Sequence, residues 1–250
     1  MLNLTDLKLL IILKFSGFRL LVFIRNQIKD KGVIFLENIT LKSFVVAIAR
    51  TNPSGVSVLG TGFFIGNGLI ATTKHVTNGD DHNLCIILPK YSIDEYQDTS
   101  DSGVNLMSAR IREINPIRDI CILEVDGHIT PPYTLQSTDN ISVGNPVIVY
   151  GYPHADHGRF VLTQQNTQVG AKIFIESHGI KSKHIVLNTQ ARPGQSGGPI
   201  LNSQNNSVIG MLIGSYAPGG GGGISLGGVD PLTLHQTTHV ISAEYIREMI

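Results

Sequence analysis

The 250-residue sequence has no tryptophan, only two cysteines and no excess of either charge, with Lys+Arg and Asp+Glu equal at 19 each. Each shortage closes off a class of protein. Without a basic stripe there is no electrostatic footprint for a phosphate backbone, so no nucleic-acid partner is expected. Two cysteines cannot staple a disulfide-dense fold. Cys85 and Cys121 lie in apolar strand-like runs, where an unpaired thiol behaves as a small buried hydrophobe, and free thiols are favoured over a bridge. Long uncharged apolar runs are missing as well. Lys8, Lys14, Arg19 and Arg25 interrupt the apolar stretch 7–28 and leave runs of five residues at 9–13 and 20–24. A secretory signal wants an unbroken core of about 7–15 residues. A spanning helix would carry Lys14 and Arg19 near mid-bilayer at roughly 2.5–3.5 kcal/mol each. Residues 1–40 are therefore expected to form one helical extension, packed on the rest of the chain or lying on a membrane surface or protein partner.

What is abundant is glycine, 27 residues in all, together with short β-branched and aromatic runs from residue 43 onward. Glycine-punctuated apolar runs of this length read as strands joined by tight turns. Asn67-Gly68, between 61–65 and 69–73, is a two-residue hairpin signal. Further strands are expected at 44–49, 84–88, 104–114 and 120–125, and, after a linker over 127–142, at 146–150, 159–165, 172–175, 184–188, 199–201, 207–213 and 239–241. A terminal helix is expected over 242–250 with Ser242 as its N-cap.

The most informative run is Gln190-Ala191-Arg192-Pro193-Gly194-Gln195-Ser196-Gly197-Gly198-Pro199. A serine hydroxyl is a weak nucleophile until a base takes its proton and backbone N–H groups receive the charge that develops on the attacked carbonyl. Glycines beside it allow the tight turn that aims such amides at one point. His75 ends one apolar strand and Asp119 opens another, so the order is His75, Asp119, Ser196, separated by 44 and 77 residues. That is the order of one known serine triad.

Thr61-Gly62-Phe63-Phe64-Ile65, Ala71-Thr72-Thr73-Lys74-His75-Val76, Asp119-Ile120-Cys121-Ile122-Leu123 and Gly194-Gln195-Ser196-Gly197-Gly198-Pro199 resemble the four landmarks of trypsin-like serine peptidases, most closely bacterial HtrA-like and glutamyl-endopeptidase-like members. Tyr150-Gly151-Tyr152-Pro153 is similar to the strand and turn that open their second barrel. The resemblance covers roughly residues 43–250, and no PDZ-like region follows the terminal helix. It implies an all-β fold of two six-stranded antiparallel barrels, about 41–128 and 140–241. It implies a serine endopeptidase acting on polypeptides through His75, Asp119 and Ser196, with an oxyanion hole from the N–H groups of Gly194 and Ser196. The alternative is a catalytically idle protease fold used as a binding module.

By the same resemblance the substrate pocket is walled by Gln190, Ala191, Ile213, Ser215 and His239. No acidic residue stands there to meet a basic side chain; the alternatives are His239 reading an acidic or amide side chain, as histidines do in some relatives, and a small or apolar residue before the cleaved bond, which is favoured. Gln195 replaces the aspartate that in many animal relatives pairs with a newly cut amino terminus, so activation by cleavage is not expected. No cofactor is expected, and His154-Ala155-Asp156-His157 reads as a solvated loop rather than a metal site. Scarce cysteine and the bacterial likeness favour a cytoplasmic or membrane-peripheral location over a secreted one. The glycine run 218–223 is expected to be a mobile loop.

Overall fold

The structure is a computed structural model that describes residues 9–15, 18–24, 44–127, 129–216 and 237–250. The glycine run lies outside the described residues. The chain divides into two units, Met1–Val33 and Ile34–Ile250.

The first unit corrects the expected helix. Strands β1 (Leu9–Phe15) and β2 (Phe18–Ile24) pair antiparallel, with Phe15 opposite Phe18 and Leu9 opposite Ile24. The sequence carries the reason. Two seven-residue runs rich in Leu, Ile, Val and Phe flank Ser16-Gly17, which is a hairpin pattern, and the four cations never collected on one helical face.

The second unit holds two closed six-stranded antiparallel barrels. In the first, β3 (Val45–Asn52), β4 (Gly55–Gly66), β5 (Leu69–Thr73), β6 (Leu84–Leu88), β7 (Asn105–Asn115) and β8 (Ile120–Val125) close in the order β3-β4-β5-β8-β7-β6. Asn67 and Gly68 both take positive φ, which makes the β4–β5 turn tight. Phe44, Ile48, Phe63, Phe64, Ile70, Ile86, Ile122 and Leu123 are fully buried in one hydrophobic cluster. Cys85 and Cys121 are buried free thiols.

The second barrel is built from β9 (Pro146–Gly151), β10 (Thr163–Ser177), β11 (Ile180–Leu187), β12 (Pro199–Asn202), β13 (Val208–Tyr216) and β14 (Thr237–Ser242), in the order β10-β11-β14-β13-β12-β9. The two strands expected at 159–165 and 172–175 are one. Gly170 sits in a register shift of β10 against β11, so the glycine serves as a bulge and not as a turn. The terminal helix is also shorter than expected. Helix α2 spans Glu244–Arg247 with Ala243 at its N-cap, because Ser242 stays in β14 opposite Gly210 and its hydroxyl accepts a hydrogen bond from Thr138 N at 3.0 Å. That helix is pinned by Arg118, whose guanidinium carbon lies 4.0 Å from the centre of the Tyr245 ring.

Candidate active site

Strand β5 ends at Thr73, and the chain turns at once into a one-turn helix, α1 (Lys74–Thr77), which closes on Asn78 in the left-handed region. This places His75 at the mouth of the first barrel. Asp119 enters β8 with φ +55, an unusual backbone state that aspartate tolerates better than most residues. Two bonds tie the segments together: Asp119 Oδ1 accepts from His75 N at 2.9 Å, and Asp119 Oδ2 lies 2.6 Å from His75 Nδ1. One carboxylate thus fixes both the backbone and the ring of the histidine. With Nδ1 facing an acceptor it carries the proton, and Nε2 is left with its lone pair. The His75 side chain is 48% exposed and that of Asp119 25%, so the outer face of the ring is open to a ligand.

Ser196 reaches this corner from the second barrel. Its carbonyl accepts from Thr61 N at 2.9 Å, and the Thr61 hydroxyl donates to Gly194 O at 2.7 Å while accepting from Tyr152 N at 3.1 Å. The Thr61 carbonyl in turn accepts from Thr72 Oγ1 at 2.7 Å. A Cβ at Gly60 would meet Val76 Cγ2 at 2.6 Å and Ser196 O at 3.1 Å, so the serine backbone lies against the helix that bears His75. Gly197 has φ +87, and a side chain there would run into Thr61 O. Among the described residues the Ser196 hydroxyl has no hydrogen-bond partner, so His75 and Asp119 are joined and the serine stands beside them unbonded.

The orientation of two peptide planes follows from their carbonyls. Pro193 O accepts from His154 N at 2.7 Å, and Gln195 O accepts from Gly198 N at 3.0 Å. No peptide is cis among the described residues. In a trans peptide the C=O and N–H point in opposite directions. The N–H of Gly194 is therefore turned away from His154 and that of Ser196 away from Gly198, and among the described residues neither finds a partner. Gly194 holds φ +89, and a Cβ there would strike the Tyr152 carbonyl, which is why glycine is needed. Gln195 is 1% exposed, and its Oε1 accepts from Arg192 N at 2.7 Å, closing the turn on itself.

The expected pocket residues fall into two groups. Ile213 and His239 line a cavity of about 170 Å³ together with Asp119, Arg118 and His184. Burial holds both histidines below the ordinary imidazole range, and the neighbouring His239 adds to this at His184. Ala191 instead packs into the second-barrel core, its N–H donating to Thr238 Oγ1 at 2.7 Å. Gln190 is half-buried, and Ser215 is paired with Thr238 through β13 and β14. Sequence reasoning did not single out the roles of Thr61 and His154. Thr61 stands in a quoted motif, but a hydroxyl that bridges two barrels has no sequence mark. His154 acts through its backbone N–H, a group that every residue but proline carries.

The family model described as "Trypsin-like peptidase domain" matches residues 60–211. A curated protein of Rickettsia conorii, "Probable periplasmic serine endoprotease DegP-like", is 27% identical over 197 residues, or 78% of this chain and 35% of its own length. The chain thus spans about a third of that relative. Among solved structures, the MamO protease domain of Magnetospirillum magneticum in its apo form superposes with a TM-score of 0.59 at 14% identity, covering 84% of this chain and 97% of that one. The active form of the Rv3671c protease of M. tuberculosis gives 0.58 at 20% identity, with coverage of 83% and 79%. Those two likenesses speak for the fold alone, whereas the family match takes in more than half of the sequence and all three of His75, Asp119 and Ser196. The chain belongs to the trypsin-like peptidase family.

Proposed function

We propose that the chain is a serine endopeptidase that hydrolyses polypeptides through an acyl-enzyme, with His75, Asp119 and Ser196 as its triad. The observation that carries the reading is the double hold of Asp119 on His75, which leaves Nε2 as a base. His75 Nε2 takes the Ser196 proton as Oγ attacks the carbonyl carbon. Asp119 stabilises the imidazolium that results. The N–H groups of Gly194 and Ser196 face the oxyanion. His75 then returns its proton to the leaving amine, the C–N bond breaks, and an acyl-serine remains. Water, deprotonated by His75, attacks the ester carbon, the bond to Ser196 Oγ breaks, and His75 returns the proton to Oγ as the acid leaves. The unbonded Ser196 hydroxyl is compatible with this, because the bond from base to nucleophile often tightens only when substrate is bound.

His239 and Ile213 support a pocket for a small or apolar residue before the cleaved bond. A histidine kept neutral by burial supplies no charge for an acidic side chain. The relative's printed name is periplasmic; in this chain no described helix is long and apolar enough to cross a membrane. Incubating the full chain and its Ser196→Ala variant with a mixed peptide pool, and reading the products by mass spectrometry, tests the activity. Cleavage by the first and none by the second is expected. An intact pool in both would leave a protease fold used as a binding module.

A further inference from the structure

Strand β4 has one flank with unequal partners. It pairs with β3 from Gly55 onward, but with β5 only from Phe63. On that second flank Thr61 N donates to Ser196 O, so the serine loop occupies the edge at Thr61. Closer to the start of the strand, Gly55, Val56, Ser57 and Val58 all line a cavity of about 550 Å³. Successive strand residues point to opposite faces, so a cavity that touches four in a row borders the edge of the strand. Val58 and Val56 lie three and five residues before Thr61. At about 3.3 Å per residue they are about 10 and 17 Å along the strand from the serine.

The cavity has the size and character of a ligand site. Leu88 from β6 and Phe160 and Leu162 from the segment before β10 line it, and Tyr152 stacks on Phe160 with ring centroids 4.7 Å apart. On its charged rim Lys90 and Asp101 form an ion pair, Tyr91 donates to the same carboxylate at 3.1 Å, and Asp98 accepts from Ser100 N at 2.9 Å and Ser100 Oγ at 2.6 Å. The Gln97 side chain holds the two walls together, donating to Leu162 O and accepting from Leu162 N, both at 2.8 Å. Val104, on the lip, is 39% exposed, and Leu106 beyond it 41%. A pocket with an apolar floor, an exposed apolar lip and rim charges already held by hydrogen bonds to neighbouring residues suits a bulky uncharged side chain. Its place on the edge that carries Ser196 makes an extended polypeptide the carrier of that side chain.

We infer that this cavity is an exosite for the polypeptide substrate, taking a bulky apolar side chain three to five residues from the cleaved bond. The inference rests on the peptidase reading above for the identity of the occupant. The segment that floors the cavity also bears His154, whose N–H holds the Pro193 carbonyl, so occupancy bears directly on the peptide plane that turns the Gly194 N–H outward.

The test uses two fluorescent extended peptides that are alike except that the three positions at issue hold Leu-Phe-Leu or Asp-Gly-Asp. Binding to the full chain carrying Ser196→Ala is read by anisotropy, and cleavage by the unaltered chain is read in parallel. The apolar peptide is expected to bind about tenfold more tightly, the discrimination that one well-filled apolar pocket supplies. Val104→Asp, an exposed lip position, is expected to abolish the preference, as is Val56→Asp, with thermal unfolding recorded to show that each variant is folded. Equal binding of the two peptides, or a preference that survives both substitutions, overturns the exosite. Discrimination in binding with no cleavage by the unaltered chain keeps the cavity as a peptide site and overturns the peptidase reading. Cleavage without discrimination does the reverse.

Discussion

Thr61 and Gly194 carry the site more than their side chains advertise. The Thr61 hydroxyl is buried and satisfies a carbonyl of the serine turn and an N–H of the segment after β9 at the same time. Thr61→Val keeps the shape but leaves both groups unpaired, which costs about 1–3 kcal/mol. Denaturant unfolding should register that loss, and peptide turnover should fall with it as the serine turn loosens. Gly194→Ala acts by another route. Its Cβ meets the Tyr152 carbonyl in a backbone region that side chains avoid, so the Pro193–Gly194 plane must rotate and withdraw one N–H from the oxyanion. Removing one such donor typically lowers turnover by about 10²–10³. A variant that folds and cleaves at the normal rate would show that the amide has no such part. His75, Asp119 and Ser196 stand out in the sequence because the chemistry proposed for them is in the side chains. The supports of the site were not, because backbone donors and a bridging hydroxyl look the same in every strand and loop.

Among the elements, the barrel strands with tight-turn signals were the easiest to read. Asn67-Gly68 marks the β4–β5 turn, and the runs at β6 and β8 coincide with the strands. Two of the failures share one cause, a local signal overridden by its neighbours. Gly170 looks like a strand end but bulges within β10, and Ser242 looks like a helix cap but remains paired in β14. The amino-terminal runs, apolar enough for a helix, pair as a hairpin across Ser16-Gly17. Two predictions belong to this scale. Arg118→Ala removes the cation over Tyr245 and should lower stability by about 0.5–2 kcal/mol, read as a lower unfolding midpoint. His184 on β11 and His239 on β14 share one cavity with Asp119 and Arg118, and burial lowers the proton affinity of both. Each binds protons more readily unfolded, near 6.5, than folded, so the stability from keeping them neutral is complete above that value and is lost as pH falls below it. The unfolding free energy should therefore drop between pH 7 and pH 5, and His184→Gln should flatten the slope. An unchanged slope would place the acid sensitivity elsewhere.

At the scale of the whole molecule, two barrels form from successive stretches of the sequence, and the proposed chemistry lies where they meet. His75 and Asp119 come from the first barrel, Ser196 from the second, and Thr61 joins them. Within the turn that bears the serine, the uncharged Gln195 side chain accepts from Arg192 N and offers no carboxylate to a newly cut amino terminus. The chain is therefore expected to be active as translated, and treatment that removes residues before Ser43 should leave its rate unchanged; a chain inert until cut would contradict this. Fold class was legible because four motifs in order constrain topology strongly. The long-range fit of the halves was not, since it depends on pairs such as Thr61 and Gly194 that are 133 residues apart. The proposed mechanism stands on Ser196 being a nucleophile activated by His75. Intact-mass analysis after exposure of the full chain to a fluorophosphonate tests it most directly. A single adduct on Ser196 is expected, absent from Ser196→Ala and formed far more slowly by His75→Ala; a folded chain that takes up no adduct, or takes it up equally well without His75, would rule this out.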